Sequence, residues 1–234
     1  MLFDRILGNF HLKIKDRRAA GNILGDSLKD LVKKKERNDI IVLGIPRGGL
    51  VVADSIARKL GCHLDFIIVR RLRSLYNEEL AIGAVAEDGT TYINEMIVEN
   101  QKIFREYIEN EVSNQLQEIK RLTGLFNHRN KTLQERCGAF NDKTIILVDD
   151  GAATGATIIG AARSLKKTVK PSRLIIALPV SPKGTIKKLK NEYIDNIEVI
   201  ISPQDSNFVS VEQFYQNFAQ ITDDQVGDII QNLQ

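Results

Sequence analysis

Residues 145–157 read Ile-Ile-Leu-Val-Asp-Asp-Gly-Ala-Ala-Thr-Gly-Ala-Thr and join an apolar strand to a helix through two acids and a turn of small residues. The four aliphatic residues from 145 to 148 predict a short buried strand, and apolar residues recur at helical spacing from 158 to 169. A turn with so little side chain lets backbone N–H groups at a helix start close around an anion, which the helix dipole favours. The stretch therefore predicts an anion site made by Gly151, Ala152, Ala153, Thr154, Gly155, Ala156 and Thr157.

Two adjacent acids, Asp149 and Asp150, precede this turn, where an anion alone would repel them. Carboxylates suit a neighbouring diol, whose hydroxyls donate hydrogen bonds, or a magnesium ion reached directly or through water. An ordinary strand-to-helix turn capped by one aspartate is the simpler alternative. The Walker phosphate loop is excluded, because no Gly-Lys-Ser or Gly-Lys-Thr follows the glycines. The run predicts a pocket for a phosphorylated sugar.

A second buried strand, residues 40–45, runs into the glycine-rich turn Pro46-Arg47-Gly48-Gly49 and then into a helix with an apolar stripe. Arg47 would bring a fixed positive charge with several donors to this turn. A helix entry that needs glycine only for room is the alternative. The turn is a second candidate anion site.

The order of the elements predicts an α/β fold with a mainly parallel twisted sheet flanked by helices. Strand patterns occur near 39–46, 64–71, 82–87, 144–149, 173–179 and 197–202, and helical patterns lie largely between them. Loops after the carboxyl ends of such strands line the ligand crevice, so both glycine-rich turns should meet at one edge.

The length of 234 residues and the hydrophobic content of 43% suit one domain over residues 1–234. A helical insertion is predicted at about 95–140. It begins with one long amphipathic helix over 95–124, in which one break is allowed. This helix either covers the sheet or packs on a second subunit. Capping-box patterns at Ser210 with Gln213, and at Thr222 with Gln225, predict two short helices in a C-terminal segment at about 202–234.

Composition excludes several classes of protein. The net charge of +3 and the lack of Trp do not favour a nucleic-acid partner, which would show a basic stripe with interleaved aromatics. Two distant cysteines and three scattered histidines predict neither a disulfide framework nor a metal site. The apolar runs are too short for a membrane span, and the N-terminus lacks a signal-peptide pattern, so a cytoplasmic location without membrane contact is expected.

The acids and the following Gly-Ala-Ala-Thr-Gly-Ala-Thr resemble the phosphoribosyl pyrophosphate (PRPP) motif of type I phosphoribosyltransferases. The resemblance implies that Asp149 and Asp150 contact the ribose hydroxyls and that residues 152–157 bind the 5′-phosphate. Pro46-Arg47-Gly48-Gly49 resembles the family's pyrophosphate loop, which implies a cis peptide bond between Pro46 and Arg47. Asp149, Asp150 and Arg47 are thus the implied catalytic residues.

Residues 67–89 resemble the mobile lid of the same family. Arg70, Arg71 and Arg73 are then candidate pyrophosphate contacts, with a solvated arginine cluster as the alternative, and the acids Glu78, Glu79, Glu87 and Asp88 are weaker candidates for a proton-transfer role. The loop 202–208 corresponds to a hood over the acceptor, where Phe208 could stack on a planar substrate or fill space between sheet and helix. Upstream, Asp16-Arg-Arg-Ala-Ala-Gly21 resembles a little-characterised bacterial and archaeal branch of the family.

The resemblance implies transfer of the 5-phosphoribosyl group from PRPP to a nitrogen acceptor, such as a nucleobase, with release of pyrophosphate. It also implies a homodimer and Mg²⁺ carried by PRPP near Asp149 and Asp150, with no metal ligand assigned directly. The main alternative is a PRPP-responsive regulator that binds nucleic acid, for which the basic helical pattern in residues 1–35 is the candidate segment. A PRPP-synthesising kinase, which has a similar sugar-phosphate motif, is a second alternative.

Overall fold

The structure is a computed structural model that describes residues 13–32, 39–77, 80–126, 133–136, 138 and 140–231. Its strands are β1 (Ile40–Gly44), β2 (His63–Phe66), β3 (Val69–Arg73), β4 (Ala81–Ala86), β5 (Thr91–Ile93), β6 (Thr144–Val148), β7 (Arg173–Val180) and β8 (Asn196–Ile201). Its helices are α1 (Arg17–Leu28), α2 (Gly48–Leu60), α3 (Glu95–Asn100), α4 (Arg105–Phe126), α5 (Leu133–Arg136), α6 (Ala156–Thr168), α7 (Lys183–Lys190) and α8 (Asp223–Gln231).

The main sheet has five parallel strands in the order β2-β1-β6-β7-β8. β1 is buried along its whole length, and so are β6 and β7 beyond their first residues, because helices cover both faces of a parallel sheet. The predicted α/β class with a mainly parallel sheet is confirmed. A second sheet of three antiparallel strands, β3-β4-β5, was not predicted as a separate unit.

The single strand predicted at 64–71 is wrong, because the chain leaves the main sheet after Phe66 and enters the second sheet at Val69. Ile67 and Ile68 are both buried at this junction, so the apolar run continues through the break and hides it from the sequence pattern. The side chain of Glu87 holds the junction by accepting a hydrogen bond from the Ile68 N–H at 2.9 Å. The strand predicted at 82–87 therefore belongs to the second sheet.

Helix α1 packs tightly on helix α2. The Asp16 carboxylate caps α1 by accepting a hydrogen bond from the Ala19 N–H at 2.8 Å. The apolar stripe of α1, which includes Leu24 and Leu28, is buried in the core. Within the described residues 13–32, packing therefore accounts for the helical pattern on which the regulator alternative depends; the rest of 1–35 lies outside the described residues.

A methyl group at Gly21 would disrupt this packing. Its Cβ would overlap the Val52 carbonyl oxygen and lie 2.5 Å from the Ser55 Cβ, both in α2. We expect Gly21→Ala to lower the free energy of unfolding by about 1–3 kcal/mol, because α1 must move away from α2. Urea unfolding measures the change. Gly124→Ala in α4 is the control, since open space surrounds that position, and it should be neutral or stabilising. Equal effects of the two substitutions would contradict the prediction.

The helical insertion contains one break, for which the prediction left room. Helices α3 and α4 are separated at residues 101–104, where Lys102 has a φ of 51°. Ile119, Leu122 and Phe126 of α4 are buried in the core, so this helix covers the fold. Residues 127–132, in the remainder of the predicted insertion, lie outside the described residues.

The C-terminal segment contains one of the two predicted helices. The capping box of α8 is confirmed, because the Gln225 side chain accepts from the Thr222 N–H at 3.0 Å and Thr222 Oγ1 accepts from the Gln225 N–H at 3.2 Å. The other predicted helix is only a 3₁₀ turn at Glu212–Phe214. One half of the predicted capping box is present, because Gln213 Oε1 accepts from the Ser210 N–H at 3.1 Å, and the same oxygen also accepts from the Val209 N–H at 2.7 Å. None of the described helices is long and apolar enough to cross a membrane.

Candidate functional site

The two glycine-rich turns lie side by side at the carboxyl ends of β1 and β6. The strands pair with Gly44 opposite Val148, and the Ile45 N–H continues the pairing by donating to the Val148 carbonyl at 2.9 Å. Both turns therefore begin at the same level of the sheet. The two candidate anion sites thus lie at one edge of the sheet, as the sequence predicts.

Glycine is required where the turns touch. A Cβ at Gly48 would overlap Asp150 Oδ2 and lie 2.7 Å from Arg17 Nε, and a Cβ at Gly49 would lie 2.8 Å from the Asp149 Cα. The first turn thus packs directly on the acids of the second. The Pro46–Arg47 peptide bond is cis, which confirms that prediction.

A cleft of about 630 Å³ opens over this edge. The predicted residues that line it are Pro46, Arg47, Gly48, Arg70, Arg71, Arg73, Asp149, Asp150, Gly151, Ala152, Ala153, Thr154, Gly155 and Thr157. Gly49, Ala156 and Phe208 are absent from the lining. Arg17 and Glu212 add two further charged side chains, which the sequence reasoning did not assign to the site. Five arginines and three acids therefore share one cleft.

The two acids have different environments. Asp149 Oδ1 accepts from the Asp150 N–H at 2.9 Å, and its Oδ2 lies 3.4 Å from the Thr157 hydroxyl. Burial, followed by the neighbouring charge of Asp150, raises the pKa of Asp149 well above its usual value, and Arg71 offsets part of this effect. Asp150 forms an ion pair with Arg17, with Nε 2.7 Å from Oδ2.

The turn after the acids has free backbone donors at a helix start. Gly155, with a φ of 81°, precedes α6. The Ala152 N–H donates to the Val180 carbonyl and the Ala156 N–H to Thr154 Oγ1, so these two predicted phosphate donors are used within the protein. Within the described part of the chain, five N–H groups of residues 151–157 have no protein acceptor, those of Gly151, Ala153, Thr154, Gly155 and Thr157. They suit an anion in the field of the α6 dipole.

The lid arginines lie on a strand. Arg71 and Arg73 are exposed, whereas Arg70 is half-buried and donates from Nε to Gln115 of α4 at 3.1 Å. Burial lowers the pKa of Arg70. All three side chains line the cleft, but β3 is paired with β4. The part of the lid region that carries the three arginines is therefore fixed in a sheet.

The weaker acid candidates have structural roles or lie outside the described residues. Glu87 holds the β2–β3 junction, and the Asp88 carboxylate accepts from the Thr90 N–H at 3.0 Å in a tight turn. Glu78 and Glu79 lie outside the described residues. No general base is assigned among these acids.

Phe208 stacks on Phe214 with ring centres 5.9 Å apart and lines a neighbouring cavity of about 260 Å³. It does not line the main cleft, and its contact with the acceptor stays a prediction. The cleft is closed on this side by residues 209–221, which we call the hood wall. Its lining residues are Val209, Ser210, Val211, Glu212, Phe218, Gln220 and Ile221.

Arg17 is the principal residue that the sequence reasoning missed. It is 8% exposed, pairs with Asp150, donates from Nη1 to the Ala219 carbonyl at 2.9 Å, and lies 3.8 Å from the centre of the Phe218 ring. The motif Asp16-Arg-Arg-Ala-Ala-Gly21 contained it, but helical spacing cannot indicate a partner 133 residues away. The motif is explained by three separate contacts: the cap at Asp16, the ion pair at Arg17 and the close packing at Gly21.

Comparison with known proteins identifies the family of this chain. The model of the phosphoribosyl transferase domain matches residues 12–218. A Mycobacterium tuberculosis protein, represented in two strains and named provisionally as a phosphoribosyl transferase, is 31% identical over 211 residues, which cover 90% of this chain and 45% of the relative. The chain thus spans a little under half of the relatives it matches.

The crystal structure of TT1426 from Thermus thermophilus superposes with a TM-score of 0.73 at 31% identity and covers 95% of this chain and 99% of that one. The matched family region includes both glycine-rich turns, the acids and Arg17. This chain belongs to the phosphoribosyl transferase domain family.

Proposed function

We propose that the chain transfers the 5-phosphoribosyl group of PRPP to a nitrogen acceptor and releases pyrophosphate. The observation that carries the proposal is the contact between the two turns, where a Cβ at Gly48 would overlap Asp150 Oδ2. A ligand held by both turns would have one anionic group at the turn of Arg47, a second at the start of α6, and a diol between them. PRPP has this arrangement: the pyrophosphate is at one end, the 5′-phosphate is at the other, and the ribose hydroxyls lie between them.

The charges of the cleft suit this ligand. The 5′-phosphate would bind the free N–H groups of Ala153, Thr154, Gly155 and Thr157 with the Thr154 hydroxyl. Ribose hydroxyls would donate to the carboxylates of Asp149 and Asp150. Arg47, which is 41% exposed at the side chain and 3.5 Å from Asp223, would bind the pyrophosphate together with the arginines of β3.

The donor set also fits Mg²⁺ that arrives with the substrate. Among the described residues no group of three or more His, Cys, Asp or Glu side chains could hold a metal ion. Magnesium commonly keeps several waters and uses one or two carboxylates together with substrate phosphates. Asp149 and Asp150 would supply those carboxylates, and the ion would offset the charge of the leaving pyrophosphate.

The residues would act by position and charge. The bond from ribose C1 to pyrophosphate breaks as the acceptor nitrogen approaches, through a cation-like sugar of the kind found in other glycosyl transfers. Arg47 and the β3 arginines stabilise the departing charge, and the acids hold the ring in place. The reaction needs no covalent nucleophile. Family resemblance further supports a homodimer, which sedimentation of the purified chain would test.

Binding of labelled PRPP with Mg²⁺, followed by a screen of nucleobases and other amines for pyrophosphate release, tests this function. We expect Mg²⁺-dependent binding and release with at least one acceptor. PRPP binding without release, together with a tight, salt-sensitive complex with nucleic acid, would instead select the regulator. ATP-dependent formation of PRPP from ribose 5-phosphate would select the kinase, and a chain that binds no PRPP would refute the proposal.

A further inference from the structure

One wall of the cleft joins residues near the start of the described chain to the hood wall. The Ile14 N–H donates to the Phe214 carbonyl at 2.8 Å, and the Gln216 N–H donates back to the Ile14 carbonyl at 2.8 Å. The Asn217 N–H continues the ladder to the Lys15 carbonyl at 2.9 Å. Residues 13–16 thus support the hood wall by strand-like pairing.

Arg17 follows this ladder and connects the hood wall to the acids. Its Nε contacts Asp150, and its Nη1 contacts the Ala219 carbonyl. The Phe218 ring lies close to two groups: the guanidinium of Arg17 at 3.8 Å from the ring centre, and the Tyr215 ring at 4.8 Å between centres. The Tyr215 hydroxyl in turn donates to the Asp150 carbonyl at 2.8 Å. Phe218 therefore supports Arg17 as part of a packed cluster.

The ion pair leaves part of Asp150 available. Arg17 occupies Oδ2, and in the described portion of the chain Oδ1 accepts no protein hydrogen bond. With Arg17 only 8% exposed, this contact is a charge-assisted hydrogen bond largely shielded from water, which gives it strength and a defined direction. The free oxygen of Asp150 is consequently held in one orientation beside the cleft.

We propose that Arg17 is a positioning residue that orients Asp150 for the ribose and holds the hood wall over the acceptor. The inference rests on the proposed function for the identity of the two ligands. Because one guanidinium makes both contacts, PRPP binding and acceptor binding should be coupled through it: each ligand ordered against the Arg17 cluster stabilises the arrangement that the other one needs.

Two substitutions separate the contacts of Arg17. Arg17→Met keeps the length of the side chain and removes both hydrogen bonds and the charge. Arg17→Lys keeps a charge beside Asp150, but one ammonium cannot also reproduce the planar contacts with Ala219 and Phe218. Arg18→Met is the matched control, because Arg18 is 65% exposed at the side chain, pairs with Asp54 at 3.5 Å and does not line the cleft.

The measurements are the Kd of PRPP with Mg²⁺, the KM of the acceptor, and amide hydrogen exchange of the peptide spanning 213–219. We expect Arg17→Met to weaken PRPP by roughly tenfold or more, to raise the acceptor KM by a similar factor, and to speed exchange in the hood wall. Arg17→Lys should recover most of the PRPP affinity while the acceptor KM and the exchange stay high. Arg18→Met should match the wild type in all three.

Unchanged exchange in Arg17→Met would overturn the role in the hood wall. Faster exchange with unchanged PRPP affinity and acceptor KM would also overturn the proposal, because Arg17 would then only stabilise the fold. If the wild-type chain binds no PRPP, the proposed function fails separately, and exchange of the hood wall in Arg17→Met and Arg17→Lys decides whether Arg17 holds it. Should Arg17→Met fail to fold, Arg17→Lys still tests the split between PRPP affinity and acceptor KM.

Discussion

Asp149→Asn is expected to make the unliganded protein more stable while it weakens PRPP binding. The folded protein keeps Asp149 in a buried place beside the charge of Asp150, and both effects oppose ionisation. Asparagine has nearly the same shape, and its oxygen can still accept from the Asp150 N–H. We expect the free energy of unfolding to rise by about 0.5–2 kcal/mol at neutral pH. PRPP affinity should fall by roughly 10- to 100-fold, because a charge-assisted bond to the ribose is lost.

The pH dependence of this gain has a definite sign. Folding raises the pKa of Asp149, so the folded protein binds the proton more tightly than the unfolded chain. The stability of the wild type relative to Asp149→Asn therefore declines as pH rises from the ordinary value of 3.8 toward the raised pKa, and the difference is constant above it. Urea unfolding of both proteins at several pH values measures the difference. A gain that is equally large at the acid end of the series would contradict this explanation.

Asp150→Asn is the matched comparison, because the change is the same at the adjacent residue. Its carboxylate is paired with Arg17, so the substitution leaves a nearly buried guanidinium without its counter-charge. We expect the free energy of unfolding to fall by about 2 kcal/mol, less than for a fully buried pair because the cleft admits water. PRPP binding should weaken in both variants. Stability changes of the same sign in the two variants would contradict the different environments assigned to the acids. A variant that combines both substitutions and keeps its PRPP affinity would contradict the ribose contacts.

Gly48→Ala is expected to reduce pyrophosphate release by more than about 100-fold. The added methyl would overlap Asp150 Oδ2, come within 2.6 Å of the Asp150 Cγ and lie 2.7 Å from Arg17 Nε, so the ion pair and the turn that holds Arg47 must separate. A displacement of the groups around the leaving pyrophosphate of about 1 Å is enough for a loss of this size. The free energy of unfolding should also fall, by about 1–3 kcal/mol.

The control for Gly48→Ala is Gly227→Ala in α8, where nothing lies within 4 Å of the added Cβ. It should keep wild-type release and match or exceed wild-type stability, because alanine favours a helix. Initial rates of pyrophosphate release and urea unfolding are measured for both. Wild-type activity in Gly48→Ala would show that the turns do not need their close contact, and it would remove the main support for the proposed function.

Local patterns predicted most of the main sheet and failed where two sheets meet. β1, β6 and β7 are buried apolar runs bounded by turn residues, which makes them readable without tertiary information. The break after Phe66 could not be seen in the sequence, because Ile67 and Ile68, which connect the two strands, are apolar and buried like the strands themselves. The turn at 212–214 shows a related limit: the Ser210 N–H donates to the Gln213 side chain as in a capping box, but only a single 3₁₀ turn follows.

Candidate site residues were predictable where the chemistry is contiguous in the chain. The acids with the small-residue turn, and the Pro-Arg-Gly-Gly turn, are short segments whose composition itself suits anions and hydroxyls. The contacts of Arg17 with Asp150 and with the hood wall join residues 133 and 202 positions apart. Within any short stretch of sequence, the charged and aromatic residues that make these contacts look like ordinary surface residues.

The amino-acid sequence by itself determined that two anion-binding turns follow buried strands of an α/β protein, because glycine, small side chains and adjacent acids act within a few residues of backbone. Only the tertiary structure decided that Gly48 touches Asp150, that Arg17 neutralises this acid while Asp149 is left with a raised pKa, and that residues 14 and 15 pair with the hood wall beside the cleft. The physical reason is that burial, charge pairing and close contact are properties of neighbours in space, and strand order with helix packing chooses those neighbours.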